Sequence, residues 1–421
     1  MTQSVIVIGA GPIGLLSALA LVRRGCEVTV VDAGALGSGG ARWNAGEVVP
    51  RDVDPVSSVG FLRKGLSGLV APRREPSLTV GLGDVVTQAG FFAQFAWKSR
   101  PSQYRSGQRA LVSLAHDTYE LLDDLGQAGV DVRAQGTQFL YVFGSLSTAS
   151  ARRDEDVAKA DTTGMPVPEP MLGHDELKDR EPQLSAAAAA GYLQEGHRYL
   201  DPQRFTESVI TVLKRSSVSL IERAPVRSIQ VGTDHVVVRT PNRRLAADHV
   251  VIAAGVRSAE LARPLGARLL LENGRGYSLR TNLALANRNT LLHFNDVHVV
   301  ASPFDDELQL AGQMNFSRRH IEPDVFHTRI LDAAARYLPA VLDAGVHDSG
   351  HGVRPMTPDG LPYLGRITSR VSVAAGHNMI GFTLAPSTAE TVAGLVTDPS
   401  AVVDDAFNPF RFSGKFGGLL R

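Results

Sequence analysis

The stretch from Val5 to Asp32, VIVIGAGPIGLLSALALVRRGCEVTVVD, constrains the fold of this chain more than any other part of the sequence. Val5–Ile8 is short, apolar and β-branched, which is typical of a strand buried in a parallel sheet. A G-x-G-x-x-G turn follows it, and the next residues predict a helix to about Arg24 and a second strand over Val28–Val31. The stretch therefore predicts a strand–helix–strand unit that ends on an acid, Asp32.

The three glycines and the terminal acid of this unit suit a nucleotide site. Gly9 allows a tight turn, Gly11 lets the backbone approach a pyrophosphate, and Gly14 lets the helix pack closely on the strand. The pyrophosphate would lie on the unpaired amides at the start of the helix. Asp32 follows Gly9 at close to the spacing of about 20 residues that is expected of an acid binding a ribose hydroxyl. A glycine-rich turn that binds nothing is the alternative.

A membrane span is a competing interpretation, because Val5–Val22 carries no charged side chain and approaches the length of a span. The first four residues lack the basic side chain that a signal peptide would need, and the glycines of the turn interrupt the run together with Pro12. We therefore expect a buried unit. No later segment has the length and apolar character of a span, so a cytoplasmic location is predicted, with peripheral membrane contact left open.

The composition excludes several classes of function. Lysine plus arginine equals aspartate plus glutamate at 43 each, so no net charge favours nucleic acid or anionic lipid as a partner. Cys26 is the only cysteine, which excludes an intramolecular disulfide and a multi-cysteine metal site. The histidines lack ligand spacing, and we predict no metal. The length of 421 residues predicts two domains, or one domain with a large insertion.

The remaining pattern predicts an α/β nucleotide domain in three pieces, interleaved with an α+β part built on an antiparallel sheet. Asp248–Gly255 has the form of a parallel strand that returns to the first sheet. Four alternating segments between Gly276 and Gly312 predict an antiparallel meander. Apolar residues at helical spacing predict one long amphipathic helix over 103–125, remote from the nucleotide. The predicted nucleotide domain covers 1–90, 200–268 and 350–421, and the substrate domain covers 91–199 and 269–349.

Two segments late in the chain suit a small anionic substrate or a cofactor. Arg354 lies in the Pro- and Gly-rich segment Gly352–Gly365, which predicts a rigid loop, and it suits a bidentate grip on a carboxylate. A structural ion pair between Arg354 and Asp359 is the alternative. Gly376–Thr383 runs from a strand into a helix, and its amides suit a ring that becomes negatively charged on reduction. A tight turn without a ligand is the alternative there.

These features occur in the order found in FAD-dependent amine oxidoreductases, the D-amino acid oxidase/glycine oxidase superfamily, which the chain resembles over nearly its whole length. The resemblance is carried by the opening unit, the Asn44-Ala45-Gly46 turn, Asp248–Gly255, the Arg275-Gly276-Tyr277-Ser278-Leu279 strand, Gly352–Gly365 and Gly376–Pro386. The chain is most similar to the branch of D-amino acid dehydrogenases of the small-subunit type, with glycine oxidase and sarcosine oxidase as wider relatives. The resemblance implies a Rossmann-like FAD-binding domain interleaved with an α+β substrate domain built on an antiparallel sheet.

The resemblance also implies a set of site residues and noncovalent FAD. The residues expected to contact FAD are Gly9, Gly11, Pro12, Ile13, Gly14, Asp32, Ala33, Asn44, Ala45, Gly46, Val226 near the adenine, Ala254, Gly255, Gly376, His377, Met379, Ile380, Gly381, Phe382 and Thr383. Backbone contacts to the flavin's pyrimidine edge are expected from Met379–Thr383. Arg354 corresponds to the arginine that grips the substrate carboxylate in glycine oxidase, and Tyr277 is the second expected catalytic residue. The covalent-flavin cysteine of sarcosine oxidases falls near Met356, where this chain has no cysteine.

The chain departs from the family at two places that bear on the site. The family often has Thr-Ser just before the Asn-Ala-Gly turn, whereas this chain has Arg42 and Trp43, and Arg42 is expected to replace the lost hydroxyls as a phosphate contact. Close relatives carry an acidic residue after the turn of the meander, where this chain has Met314 and Asn315. The second departure puts the usual substrate in doubt.

The sequence thus predicts a flavoenzyme that oxidises a small amino acid, first of all a D-amino acid, or a secondary amine acid at its α-carbon. Hydride transfer to flavin N5 gives an imino acid that water hydrolyses to a 2-oxo acid, and no side-chain base is required if the amine binds uncharged. There are two alternatives: a 2-hydroxy acid dehydrogenase on the same scaffold, and an FAD-holding subunit that needs a partner for activity. The electron acceptor (a quinone, oxygen or a carrier protein), the chirality of the substrate and the oligomeric state stay open, and no nucleic acid partner is expected.

Overall fold

The computed structural model describes residues 2–58, 60, 78–79, 88–316 and 322–413. The strands are β1 (Ser4–Ile8), β2 (Glu27–Val31), β3 (Glu47–Val48), β4 (Leu78–Thr79), β5 (Gly136–Phe143), β6 (Leu172–Gly173), β7 (Ala190–Tyr199), β8 (Ser219–Ile221), β9 (Ser228–Val231), β10 (Val236–Arg239), β11 (Arg244–Ala247), β12 (His249–Ile252), β13 (Glu272–Thr281), β14 (Thr290–Phe294), β15 (Val299–Phe304), β16 (Glu307–Asn315), β17 (Val346–Met356), β18 (Tyr363–Thr368) and β19 (Val371–Ala375).

The α-helices cover the faces of these strands. They are α1 (Pro12–Arg23), α2 (Ala89–Lys98), α3 (Pro101–Ala115), α4 (Thr118–Gln127), α5 (Leu146–Thr163), α6 (His174–Arg180), α7 (Pro202–Arg215), α8 (Ser258–Ala262), α9 (Pro323–Ala335) and α10 (Gly381–Thr397). No helix in the described ranges has the length and apolar character needed to cross a membrane.

The first sheet confirms the predicted strand–helix–strand unit. Its spatial order is β18-β19-β12-β1-β2-β8, and β1 pairs in parallel with β2 on one side and with β12 on the other. The predicted strand within Asp248–Gly255 is therefore confirmed as β12. Because parallel strands bring their carboxyl ends to one edge, Gly9, Asp32 and Ala253 meet there. Helix α1 packs with α10 in the hydrophobic core beside this sheet, which gives the predicted α/β architecture.

The second large sheet has the order β17-β13-β16-β15-β14-β5-β7-β3, with β4 paired to β16 and β6 to β7. The meander prediction is confirmed for β14, β15 and β16, which pair antiparallel in succession. The remaining strand of the prediction, β13, pairs with β16 instead of β14, and β14 pairs in parallel with β5. Strands β3 and β17 bring segments of the predicted nucleotide domain into this sheet, and the domain bounds stay a prediction.

The prediction of one long helix over 103–125 is wrong in two respects. Helices α3 and α4 are separate, with His116 and Asp117 between them. Their buried side chains Leu111, Leu122 and Leu125 belong to the same hydrophobic core as helix α1, so the pair is not remote from the nucleotide unit. The apolar spacing continues across the break, which is why periodicity alone does not reveal it.

The prediction of a loop over Gly352–Gly365 is also wrong for its first part. Strand β17 continues to Met356, and β18 begins at Tyr363, so that only the residues between them form a turn. Pro355 is tolerated within β17 because this strand lies at the end of the sheet order, where one edge has no ladder to interrupt. Arg354 is therefore fixed by strand pairing with β13, opposite Gly274.

Candidate functional site

A cavity of about 360 Å³ lies at the carboxyl edge of the first sheet and reaches the second sheet. Its lining includes these residues predicted from the sequence: Gly9, Gly11, Pro12, Ile13, Asp32, Ala33, Asn44, Val226, Ala254, Gly255, Arg354, His377, Met379, Gly381 and Phe382. The structure thus brings together residues from the start, the middle and the end of the chain. The other predicted residues, Gly14, Arg42, Ala45, Gly46, Tyr277, Gly376, Ile380 and Thr383, are not part of this lining.

The glycine turn leaves one open position toward the cavity. Gly9 has φ +113°, and a Cβ there would lie 2.3 Å from the Ala253 carbonyl oxygen. A Cβ on Gly14 would lie 1.9 Å from the Gly9 carbonyl oxygen, so both glycines are required by close backbone packing. Gly11 differs, because its Cβ would meet no atom within 4 Å. Gly11 precedes α1 as its N-cap residue and provides no side-chain cap, so the first amides of the helix are available to an anion at the cavity.

The carboxylate of Asp32 is held in place by the backbone at the end of β2. Its two oxygens accept hydrogen bonds from the Ala10 amide at 2.6 Å and from the Gly34 amide at 2.7 Å. Each oxygen keeps a further lone pair for a ligand hydroxyl. Val226 also lines the cavity.

A short 3-10 turn, Gly40–Trp43, carries the chain from the first sheet onto the second. Three side chains of the second sheet hold the backbone that follows: Ser278 donates to the Trp43 carbonyl, Gln309 to the Asn44 carbonyl and Ser302 to the Ala45 carbonyl. We call the face that carries these three side chains the inner face of the sheet. Gly46 has φ +84°, and a Cβ there would lie 2.1 Å from the Leu200 carbonyl oxygen. Ala45 and Gly46 therefore shape this segment without lining the cavity.

The structure does not bring Arg42 to the cavity. Its guanidinium lies 3.9 Å from the Asp348 carboxylate and 5.8 Å from the centre of the Trp43 ring. The turn directs the side chain of the neighbouring Trp43, not that of Arg42, toward the cavity. The expected phosphate contact from Arg42 is not supported by this placement.

Arg354 lies over a part of the inner face that has almost no side chains. Gly276 and Gly352 are paired on β13 and β17, and a Cβ on Gly276 would lie 2.5 Å from the guanidinium carbon of Arg354. A Cβ on Gly352 would lie 2.5 Å from the Gly40 carbonyl oxygen. The glycines thus leave room for the guanidinium and for the turn at Gly40. Burial lowers the pKa of Arg354, and the nearby carboxylate of Glu47 opposes that shift.

The ion pair between Arg354 and Asp359, the alternative role for this arginine, does not form. Asp359 is bound by Arg411, whose Nε and Nη2 lie 2.7 and 3.0 Å from its two oxygens. Burial acts to lower the pKa of Arg411, but the carboxylate of Asp359 outweighs it and the pKa is raised. In the ranges that the structure describes, no carboxylate lies within ion-pair distance of Arg354, which leaves its guanidinium to a ligand.

Tyr277 lies on the other side of the sheet from the cavity. It is 2% exposed, and its ring stacks on Phe326 of α9 with centroids 4.0 Å apart. Its hydroxyl accepts a hydrogen bond from the Asn315 side chain at 3.5 Å. Successive residues of a strand face opposite sides, so Gly276 at the cavity places Tyr277 in the core below. A catalytic contact from Tyr277 is not supported by this placement.

The turn before α10 forms the end of the cavity nearest Arg354. Gly376 has φ +82° and Asn378 has φ +52°, and the Asn378 side chain secures the turn by accepting from the Thr357 amide. His377 lines the cavity with its Nε2 3.1 Å from the Thr388 hydroxyl, and burial lowers its pKa to about 3. Ile380 precedes α10 as its N-cap residue and provides no side-chain cap. The first amides of this helix are therefore available to a partly anionic group.

Sequence reasoning missed a carboxylate that borders this site. Glu47 lies 2.7 Å from Nε2 of His293, and the His293 ring stacks on Tyr141 with centroids 4.5 Å apart. The pairing joins β3 to β14 across the inner face, and no local pattern in the sequence indicates it. His197, 1% exposed, has no hydrogen-bond partner for either ring nitrogen among the described residues, and burial lowers its pKa.

Comparisons with known proteins agree with this architecture. A family model described as FAD dependent oxidoreductase matches residues 4–395. A D-amino acid dehydrogenase of Cereibacter sphaeroides is 28% identical over 96% of this chain and 93% of its own length. One of Sinorhizobium medicae is 29% identical over 96% of this chain and 98% of its own length. The structure of glycine oxidase from Geobacillus kaustophilus superposes with a TM-score of 0.74 at 22% identity, over 97% of this chain and 99% of the other.

Proposed function

We propose that this chain, which belongs to the FAD dependent oxidoreductase family, oxidises a small amino acid at the α-carbon. A D-amino acid is the first candidate, as the names of the two relatives suggest, and a secondary amine acid is the next. The observation that carries the proposal is the guanidinium of Arg354. It lies at the cavity, over Gly276, without a carboxylate partner among the described residues.

The lining of the cavity fits FAD held without a covalent bond. The open face of Gly11 and the uncapped start of α1 suit the pyrophosphate, and Asp32 suits a ribose hydroxyl. A side chain at Gly11 would fill the space that a pyrophosphate needs, which is why this glycine tests the fit. The uncapped start of α10 suits the end of the flavin that gains negative charge on reduction.

Arg354 is proposed to bind the substrate carboxylate. A planar guanidinium offers two parallel donors to a carboxylate, and the contact fixes the orientation of the substrate as well as its affinity. When bound, FAD supplies the hydride acceptor at N5, and the resulting imino acid hydrolyses to a 2-oxo acid. His377 lines the cavity in its neutral form, because its pKa of about 3 excludes a proton near neutral pH. It is therefore not proposed as an acid.

Anaerobic reduction of the bound flavin tests this proposal. The purified protein is mixed with D- and L-amino acids, glycine and sarcosine in turn, and flavin bleaching is followed at its visible absorbance. Denaturation of the same sample should release FAD into the supernatant. If only 2-hydroxy acids bleach the flavin, the protein is a 2-hydroxy acid dehydrogenase. If bleaching occurs only after a second protein is added, the chain is a subunit that needs a partner. Reoxidation with oxygen, a quinone or a carrier protein then identifies the acceptor.

A further inference from the structure

Glu47 lies on the inner face of the second sheet, beside the cavity and outside its lining. It follows the Asn44-Ala45-Gly46 turn directly, and Asn44 lines the cavity. The Glu47 carbonyl accepts a hydrogen bond from the hydroxyl of Thr383, which follows the cavity residue Phe382 in the first turn of α10. Its neighbour Val48 is buried in the core beside α1, so the side chain of Glu47 points the other way, toward His293. Glu47 therefore lies between the start of α10 and the inner face.

The Glu47 side chain has one close neighbour and keeps one oxygen free. Nε2 of His293 lies 2.7 Å from Oε1, at ion-pair distance but without hydrogen-bond geometry, and the His293 ring stacks on Tyr141. Among the described residues, no hydrogen bond or ion pair reaches the second carboxylate oxygen. The side chain is 28% exposed, so that oxygen is accessible to a ligand.

Glu47 and Arg354 are opposite charges that do not touch. The field of Glu47 acts on the half-buried Arg354, but no ion pair joins the two. A partly desolvated charge without a direct partner is unfavourable, and a ligand that offers the opposite charge reduces that penalty. An α-amino acid carries a carboxylate and an ammonium group on one carbon, and it can contact both residues at once.

We propose that Glu47 binds the ammonium group of the substrate, opposite the carboxylate bound by Arg354, and that its second oxygen takes one ammonium proton, which frees the nitrogen lone pair before hydride leaves the α-carbon. His293, beside Glu47, is the positioning residue. The inference rests on the proposed function, because it concerns the same site and the same class of substrate. It makes Glu47 a specificity determinant. A substrate that lacks a cationic nitrogen, such as a 2-hydroxy acid, leaves the carboxylate of Glu47 unpaired.

The test compares ligands with and without the amino group on variants that keep the flavin. Glu47→Gln should raise the amino acid concentration for half-maximal flavin bleaching by about 10- to 100-fold, the loss expected for a charge-assisted contact. Binding of propionate, followed by its perturbation of the flavin spectrum, should stay unchanged, since propionate contacts Arg354 alone. His293→Gln should show the same split between the two ligands to a smaller extent. Glu195→Gln, an exposed acid of β7 that contacts Gln138, is the matched control and should change neither.

The outcomes separate this inference from the proposed function. If no amino acid bleaches the wild-type flavin, the proposed function fails and the inference fails with it. If the wild type is bleached and Glu47→Gln has unchanged half-saturation, or weakens propionate and the amino acid equally, only the inference is refuted. Glu47→Asp, which keeps the charge, should retain part of the amino acid affinity. Loss of flavin from both Glu47 variants would make the residue structural and would also refute the inference.

Discussion

Replacement of Arg354 by lysine separates a substrate contact from a structural one. The guanidinium lies against the backbone of Gly276 and has no carboxylate partner in the described ranges. Lysine keeps the positive charge and loses the two parallel donors. Because no ion pair is broken, we expect Arg354→Lys to fold and to hold flavin as the wild type does.

The expected loss follows from the contact that lysine cannot make. Hydrogen bonds to charged groups are worth roughly 1.5–3 kcal/mol, and each 1.4 kcal/mol is tenfold. We therefore expect kcat/KM to fall by about 10- to 100-fold, mostly through KM if the contact is equal in the ground and transition states. Steady-state kinetics on the amino acid that bleaches the flavin gives both constants.

Asp359→Asn is the matched variant in the same segment. Asp359 and Arg411 form a buried pair with side chains 5% and 10% exposed, and removal of one partner from such a pair costs about 3–5 kcal/mol. Asp359→Asn should lower the melting temperature and leave KM unchanged, the reverse of Arg354→Lys. A folded, yellow Arg354→Lys protein with wild-type KM and kcat would remove Arg354 from the site and refute the reasoning.

Three further predictions follow from the described contacts. Gly11→Val should give folded but colourless protein, because its side chain fills the open side of Gly11, and full flavin content in the purified variant would contradict the pyrophosphate placement. Gly276→Ala should raise KM, since its Cβ takes the place of the Arg354 guanidinium, and unchanged kinetics would show that the guanidinium moves freely. Burial lowers the pKa of His377 to about 3 and that of His249 to about 4, below the value of each group in the unfolded chain. The unfolded state therefore binds more protons, and the free energy of unfolding falls as the pH drops from about 6.5 toward these values. The loss is up to about 1.4 kcal/mol per pH unit for each group. Urea midpoints at pH 7.5 and 5 measure this loss, which His249→Gln should reduce; equal pH dependence of variant and wild type would contradict it.

The part of the site that the sequence predicts well is local. Gly9, Gly11, Gly14 and Asp32 belong to one strand–helix–strand unit, whose geometry follows from its own spacing. The turn before α10 is predictable for the same reason. The fold class also follows from local patterns, because buried parallel strands and an alternating meander have different hydrophobic periods.

The remaining errors come from information that one segment does not contain. Tyr277 is expected at the site from the family resemblance, but the pleat of β13 turns it into the core. The partner of Asp359 is Arg411, which lies in a distant part of the sequence, and the alternative pairing with Arg354 follows from nearness in sequence alone. The contact between Glu47 and His293 joins two strands that are far apart in the chain. The placements of Tyr277 and Glu47 depend on strand register, which is set by the whole sheet. The pair of Asp359 and Arg411 depends on the approach of two turns that are far apart in the sequence.

The segment that follows β2 is held by both large sheets, and this couples cofactor binding to the stability of each. Ser278, Ser302 and Gln309 of the second sheet bind the carbonyls of Trp43, Ala45 and Asn44, and the same segment lines the cavity at the edge of the first sheet. A ligand that binds only the folded state adds about 2.7 kcal/mol at 100 times its dissociation constant. Since the anchoring segment is shared, that free energy should protect both sheets together. Added FAD should therefore slow proteolysis of the apoprotein by the same factor at sites in both sheets. This result is expected if the bound cofactor stabilises the two sheets as one unit.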